Sequence, residues 1–312
     1  MQSLILAILS LLLLGFQSTL FGPVKFGMLP EMFSEERISR ANGTMNMLSQ
    51  VAIVIGVVIA GALSDRYPAH NISPGVIIIL IAIVGYGVSR FILPLPARDP
   101  STEFSLNPVK TYWQTLIFLW QRRTMLVVVL AWAFFSLIAV MVLQAVLDFK
   151  TLLDLTDKAT SYLNLPLVVG LIIGSGSASL LSKDRIYMPL VPVGAAGITV
   201  IFVSLWLVPP SYVFTTVCLI GLGAFGGLYL VPLQSWIQSR SPKQKRGRIL
   251  GTSYFISFTF IALGGALYWL LRSQMGLNVL QMLLFCGVLT LISTGYLNWR
   301  IRGLFKEDIP NE

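Results

Sequence analysis

The sequence predicts an all-α integral membrane protein of about nine transmembrane helices, and three observations carry that prediction. The 312 residues are 55% hydrophobic and only 11% charged, with a mean hydropathy of +0.80. Nine apolar stretches recur along the chain, each near the roughly 20 residues an α-helix needs to cross a hydrocarbon core of about 30 Å. Basic residues fall mainly in every second gap between those stretches. Lipid offers no partner to backbone N–H and C=O groups, so segments of this kind must be helical.

In order, the stretches are Leu4–Leu20, Met45–Leu63, Val76–Leu95, Met125–Leu147, Tyr162–Leu181, Met188–Val208, Val213–Trp236, Ile249–Leu271 and Val279–Trp299. One set of gaps, with the C-terminal tail, holds Lys25, Arg37, Arg40, Arg90, Arg98, Lys110, Arg122, Arg123, Lys183, Arg185, Arg240, Lys243, Lys245, Arg246, Arg248, Arg300, Arg302 and Lys306. The other set holds only Arg66, Lys150, Lys158 and Arg272. Positive charge is retained on the cytoplasmic side, so the first set and the C-terminus are expected inside.

Walking back through nine spans puts Met1 outside. A first span with no basic flank is poorly placed to insert that way unaided, so the pattern predicts that further spans precede it. A signal peptide is the competing reading of residues 1–20, but a basic n-region and an A-x-A site are lacking.

The longest predicted cytoplasmic connection, residues 96–124, divides the chain into three spans (1–95) and six (125–299), with a polar tail at 300–312. It opens with Pro96, Asp99 and Pro100, an extended and solvated stretch. Val109, Trp113, Leu116, Ile117 and Trp120 then recur at helical spacing before Arg122 and Arg123. That pattern predicts a helix lying in the interface, with Trp rings at headgroup depth and the Arg pair among lipid phosphates.

Small residues recur at packing distance in Gly56–Ala60, Gly170–Gly174 and Gly223–Gly227. Such pairs let two helix backbones approach closely, as a fixed contact or as a sliding surface.

Several function classes are disfavoured. The net charge of +9 is dispersed over loops that alternate sides, so no continuous groove follows a phosphate backbone and no nucleic-acid partner is expected. His70 is the only histidine, and no acid stands at the position that a His-x4-Asp site requires. No Gly-x4-Gly-Lys-Ser/Thr loop occurs. Cys218 and Cys286 lie inside apolar spans and read as small buried hydrophobes. No cofactor, metal or enzymatic activity is expected, and transport is the default for such a chain.

Two motifs sharpen the reading. Phe21-Gly-Pro-Val-Lys-Phe-Gly-Met-Leu-Pro-Glu31 continues into Ser39-Arg-Ala-Asn-Gly-Thr-Met-Asn46, and Gly226-Gly-Leu-Tyr-Leu-Val-Pro-Leu-Gln-Ser-Trp-Ile-Gln238 continues into Ser241-Pro-Lys-Gln-Lys-Arg-Gly-Arg248. In both, the chain resembles the bacterial lysophospholipid transporters of the major facilitator superfamily, including members fused to a 2-acylglycerophosphoethanolamine acyltransferase. Pro23, Lys25, Pro30, Glu31 and Asn42 stand in the first motif, and Gly226, Gly227, Pro232 and Gln238 in the second, with Arg246 and Arg248 in the loop beyond. The resemblance places the nine spans as the fourth to twelfth of twelve, a partial major facilitator fold with three helices of the N-terminal half and six of the C-terminal half.

It also implies alternating-access movement of a lysophosphatidylethanolamine-like lipid across the inner membrane, with a phospholipid acyltransferase as partner in cis or in trans. A carrier of another amphiphile or drug, and the membrane portion of an acyltransferase fusion, stay open as alternatives. The chain departs from the family after Arg248, where Gly251-Thr-Ser-Tyr-Phe255 replaces an amide-rich cluster and leaves headgroup preference open.

Gly61-Ala-Leu-Ser-Asp-Arg66 resembles the superfamily's loop signature after its second span, but that register would put eighteen basic residues outside. It reads instead as an echo of the internal repeat.

Few polar residues lie within spans, and Gln17, Gln50, Gln144, Tyr229 and Gln234 are the candidates to line a central cavity. No Asp or Glu sits at mid-span, so no proton relay is evident. Lys25 and Glu31 are expected to pair with each other, with Arg37 or Arg40, or with helix ends. Gly22, Pro23 and Pro30 are expected to break the helix between them. Asp148, Lys150, Asp154 and Asp157 form a mixed-charge group, read as a solvated loop or as a receiver for a zwitterionic headgroup.

Overall fold

A computed structural model describes residues 2–66, 73–92, 107–182 and 185–304. Every predicted span contains a helix: α1 (Gln2–Gly27), α3 (Ile38–Arg66), α4 (Ser73–Ser89), α6 (Arg123–Leu152), α8 (Asn164–Leu181), α9 (Leu190–Leu207), α10 (Tyr212–Arg240), α11 (Arg246–Trp269) and α12 (Val279–Leu304). Between them lie the short α2 (Leu29–Met32), the 14-residue α5 (Pro108–Gln121) and α7 (Asp157–Tyr162). Among the described residues no strand occurs. Among the described residues, seven helices are long and apolar enough to cross a membrane, with Gly75–Ser89 a shorter apolar helix.

Local chemistry accounts for several boundaries. The Asn107 side chain accepts a hydrogen bond from the Lys110 backbone N–H at 2.9 Å and Pro108 follows, an N-cap with proline in the first turn. Ser211 caps α10 by accepting from the Phe214 N–H. Asn278 and Gln281 exchange side-chain and backbone bonds at 2.9 Å, a reciprocal capping box that opens α12. A π turn, Leu270–Gln274, ends α11 before Gly276 at φ +68°.

The first motif breaks later than expected. α1 runs through Gly22 and Pro23 to Gly27, and the chain re-aims only at Met28, with Pro30 in the first turn of α2. Proline deletes one backbone bond, which a long membrane helix absorbs; Met28 restarts the chain where α1 has already ended.

Helices α6 and α8 to α12 form one packed body. Its core runs along α6, where Val128, Val129, Met141 and Val146 are fully buried, and includes Phe202, Leu205, Ile237, Ile249 and Met282. Helices α8 and α10 meet backbone to backbone. A Cβ on Gly170 would lie 2.0 Å from the Ile220 carbonyl oxygen, and one on Gly174 2.0 Å from that of Ala224. From the other side, Gly223 and Gly227 meet Leu167 and Ser175 as closely. The small-residue repeat is therefore a close backbone contact between α8 and α10. Gly56 behaves differently, since a Cβ there would meet nothing within 4 Å.

The first three long helices join this body unequally. Leu11, Leu12, Leu13 and Leu14 of α1 are all more than 60% exposed, and four consecutive residues face almost every side of a helix. Among the described residues, that part of α1 has no close protein neighbour. Of Gly75 to Ser89 in α4, only Ile77 is not fully exposed. In α3, Ile38, Ser39 and Asn42 are buried while Ile53, Ile55 and Ile59 are exposed. Within α3, contact with the six-helix body is thus confined to one end, and α1 joins the body only through its last turns against α11. Arg37, Arg40, Arg240, Lys243, Lys245 and Arg246 gather at that end of the molecule, called the basic end below.

The predicted interfacial helix is α5. Thr115 and Leu119 are buried against the body, while Val109, Trp113, Ile117 and Trp120 point outward. Tyr112 meets Phe255 of α11 edge-on at 4.7 Å. Its exposed apolar face is the one a bilayer interface covers.

Candidate functional site

Three polar stripes converge at the basic end. On α3, Ser39, Asn42, Asn46 and Ser49 follow one another at three or four residues, so they share one helix face. On α8 the face carries Ser175 and Ser179, with Ser182 just beyond, and on α10 it carries Gln234, Ser235 and Gln238. The stripes find partners on one another, apart from Ser175 Oγ, which is buried without a hydrogen bond among the described residues.

At the centre, Asn42 Nδ2 donates to Gln238 Oε1 at 2.7 Å, and Gln238 Nε2 donates back to Asn42 Oδ1 at 2.9 Å. Asn42 Nδ2 also reaches Ser235 Oγ and the carbonyl of Ile38. One turn deeper, Asn46 Nδ2 donates to Gln234 Oε1 at 2.9 Å. Toward the basic end, Ser39 Oγ donates to Ser182 Oγ at 2.8 Å and Ser179 Oγ to the carbonyl of Arg40 at 2.9 Å. Gly43 makes this possible, because a Cβ there would lie 2.6 Å from that of Ser179.

An ion pair closes the other flank. Arg246 Nη1 donates to Glu31 Oε1 at 2.6 Å, with side chains only 8% and 17% exposed. Lys25 donates to Ser49 Oγ and lies over the Phe26 ring. Lys25 and Glu31 therefore bind different helices rather than each other, as the break at Met28 turns them apart. Arg240 and Glu35 add a looser, exposed contact at 4.0 Å. The α1–α11 seam is completed by Tyr254, which rests on Gly22, tilts against Phe26 and meets Trp132 edge-on at 4.9 Å.

Beyond this latch the stripe ends at Gln50. That amide is the polar side chain at a cavity of about 270 Å³ lined by Phe135, Ile138, Ala139 and Val142 of α6 and by Leu167 and Leu171 of α8. Gly223 and Gly226 of α10 form part of its wall.

The candidate cavity residues are scattered by the fold. Gln50 lines this cavity, and Gln234 is buried in the latch. Gln17 and Gln144 are exposed, on faces of α1 and α6 that sequence alone does not distinguish from a cavity wall. Tyr229 is buried, stacks on Phe135 at 5.5 Å and donates to the Ala131 carbonyl at 3.3 Å; it forms the base of a different groove, between α6 and α12. Of the motif residues, Asn42, Gln238, Glu31 and Arg246 form direct cross-helix contacts, Pro232 is buried within α10, and Arg248 is exposed.

Ser39, Asn46, Ser49, Ser179, Ser182 and Ser235 were not singled out, although their three-to-four-residue recurrence within apolar spans was readable. Of the mixed-charge group at the opposite end, Asp148 forms a buttress. Asp148 Oδ2 accepts from Tyr268 OH and from Arg272 Nε, both at 2.8 Å, tying α6 to the π turn of α11. The 61–66 echo of the loop signature lies on α3, and residues 157 and 158 lie on α7, all with side chains outside the described residues.

The Major Facilitator Superfamily family model matches residues 1–266. Among curated proteins, the chain is 28% identical to the lysophospholipid transporter of Citrobacter koseri over 237 residues, 74% of this chain and 58% of that one. It is 28% identical to the corresponding transporter of an Enterobacter species over 233 residues, 73% of this chain and 57% of the relative. The chain thus spans a little under three-fifths of the length of the curated relatives it matches.

Proposed function

Because the chain belongs to the Major Facilitator Superfamily, with its family model matched over most of the length, we propose that it serves as a membrane transporter moving lysophospholipids by alternating access. The observation that carries this reading is the pairing of a one-ended latch with an apolar cavity. The two helix groups are held together at the basic end by buried amides and an ion pair. The remainder of α3 stands away from the body, and the Gln50 cavity opens beside that gap. A lining that is apolar apart from one amide suits an acyl chain with a polar group near its end. The names of the relatives supply the headgroup class, a lysophospholipid.

The excess of Lys and Arg at the latched end supports an orientation with that end and the C-terminus on the cytoplasmic side of a bacterial inner membrane. In that orientation the latched arrangement faces outward, and cargo enters from the outer leaflet. Release requires the Asn42–Gln238 and Glu31–Arg246 contacts to part while a counterpart forms at the far end. A lysophosphatidylethanolamine delivered inward is chemically ready for re-acylation by a separate acyltransferase, in cis or in trans.

Uptake of fluorescent lysophosphatidylethanolamine into spheroplasts that express the protein tests the reading. Protein-dependent uptake above empty-vector spheroplasts supports it, and uptake equal to the vector control overturns it. Protein-dependent movement of a non-lipid amphiphile in place of lysophospholipid would favour the broader carrier reading, which a cavity with a single amide also admits.

A further inference from the structure

The groove between α6 and α12 is separate from the latch and from the Gln50 cavity, and it has a chemistry of its own. It encloses about 410 Å³. Leu126, Leu130 and Phe134 of α6 form one wall, Tyr296 of α12 the other, and Tyr229 the base. At its mouth stand Trp120, at the end of α5, and Arg123, at the start of α6. The Arg123 guanidinium lies 4.7 Å over the Trp120 ring, and among the described residues no carboxylate pairs with it. Arg122 and Lys245 lie elsewhere on the end of α5, 5.2 and 4.9 Å from the Phe118 ring.

We propose that this groove holds one anionic diacyl phospholipid from the leaflet at the basic end, as a resident lipid and not as cargo. Charge and length both select that occupant. From Arg123 to Phe134 the helix rises about 16 Å, close to the roughly 15 Å of hydrocarbon in one leaflet. An acyl chain with its phosphate at Arg123 therefore reaches the end of the groove near mid-membrane. Trp120 is 61% exposed and Tyr296 51%, so the groove opens sideways to lipid and needs no path through the transporter. The Arg123 guanidinium at the mouth, with no carboxylate pairing it among the described residues, favours an anionic headgroup over a zwitterionic one. The bound lipid would join α5 to α12 across the start of α6.

The test uses the purified chain, delipidated in neutral detergent, with dioleoyl phosphatidylglycerol and dioleoyl phosphatidylcholine as probes. Native mass spectrometry is expected to show one phosphatidylglycerol retained per chain, and that lipid is expected to raise the thermal midpoint where phosphatidylcholine does not. R123Q, a change at an exposed position, is expected to keep the lipid-free midpoint and to weaken phosphatidylglycerol binding about five-fold; R123K is expected to recover most of it. L130W, which fills the groove, is expected to abolish retention with the charges intact. Equal stabilisation by both lipids, or R123Q binding phosphatidylglycerol as the parent does, overturns the proposal, whatever L130W does and whatever lysophospholipid uptake shows.

Discussion

Asn42 and Gln238 exchange two opposed side-chain hydrogen bonds, at 2.7 and 2.9 Å, with both residues essentially inaccessible. The pair is self-complementary: each amide satisfies the other, and neither has water to fall back on. Removing one side strands a buried polar group at about 1–3 kcal/mol, whereas removing both strands neither. Asn42→Ala and Gln238→Ala are therefore each expected to lower the thermal midpoint. The double substitution is expected to cost less than the sum of the two, measured as a double-mutant cycle. Strict additivity would show that the two amides do not rely on each other.

Ser39 and Ser182 offer a covalent probe of the same seam. Their hydroxyl oxygens are 2.8 Å apart, near enough for paired cysteines to form a disulfide with little movement. Ser39→Cys combined with Ser182→Cys is expected to cross-link under mild oxidant and to stop lysophospholipid uptake, with recovery on adding dithiothreitol. Both native cysteines are buried, so they compete poorly for the oxidant. Full uptake by the cross-linked protein would refute opening at the basic end.

Glu31 and Arg246 test charge in the same place. Glu31→Gln leaves a guanidinium at 8% exposure whose Nε already has no hydrogen-bond partner. The loss is expected to approach the roughly 3–5 kcal/mol seen when one member of a buried pair is removed. Exchanging the pair, Glu31→Arg with Arg246→Glu, is expected to recover part of the midpoint in thermal unfolding. No recovery would mean that each side chain is held by other contacts.

Two glycines should respond in opposite directions. At Gly174 a methyl group would lie 2.0 Å from a backbone oxygen, and at Gly56 it would meet nothing within 4 Å. Gly174→Ala is expected to drive α8 and α10 apart and to lower the yield of folded protein sharply. Gly56→Ala is expected to be neutral, or to stabilise by roughly 0.5–1 kcal/mol through helix propensity. Size-exclusion profiles and thermal midpoints of the two variants check the contrast.

The Gln50 cavity predicts chain-length selection. Ala139→Trp occupies space that an acyl chain would use. Excluding about two methylenes costs near 1.6 kcal/mol, so the KM for long-chain lysophospholipid is expected to rise about ten-fold. Shorter chains should be less affected. Equal effects on all chain lengths would place the acyl chain elsewhere.

The spans and the interfacial helix were legible because their signal is local. A run of about twenty apolar residues leaves the chain one option in lipid, and Val109 to Trp120 shows helical spacing by itself. Arg246, Gln238, Glu31 and Asn42 all stand in the two motifs, but which pairs with which is not legible there, since 215 residues separate Arg246 from Glu31 and 196 separate Gln238 from Asn42. Pairing at that distance depends on how helices cross. Gln17 and Gln144 lie exposed and apart from the Gln50 cavity, for a related reason: a glutamine in an apolar span marks an unusual side chain, and only packing tells what it faces. The serines of α3 and α8 went unnoticed because each is common alone and informative only as a stripe.

α5 belongs wholly to the six-helix body, packed on α6 and α11, while its outer row of Val109, Trp113, Ile117 and Trp120 faces away from protein. It therefore works as a float at the waterline for that body alone. Where the two groups of helices shift against each other, the six-helix body is held at fixed height and the travel falls on α1 and α3. Spin-label depth measurements should record the larger displacement on α3, with Trp113 staying level.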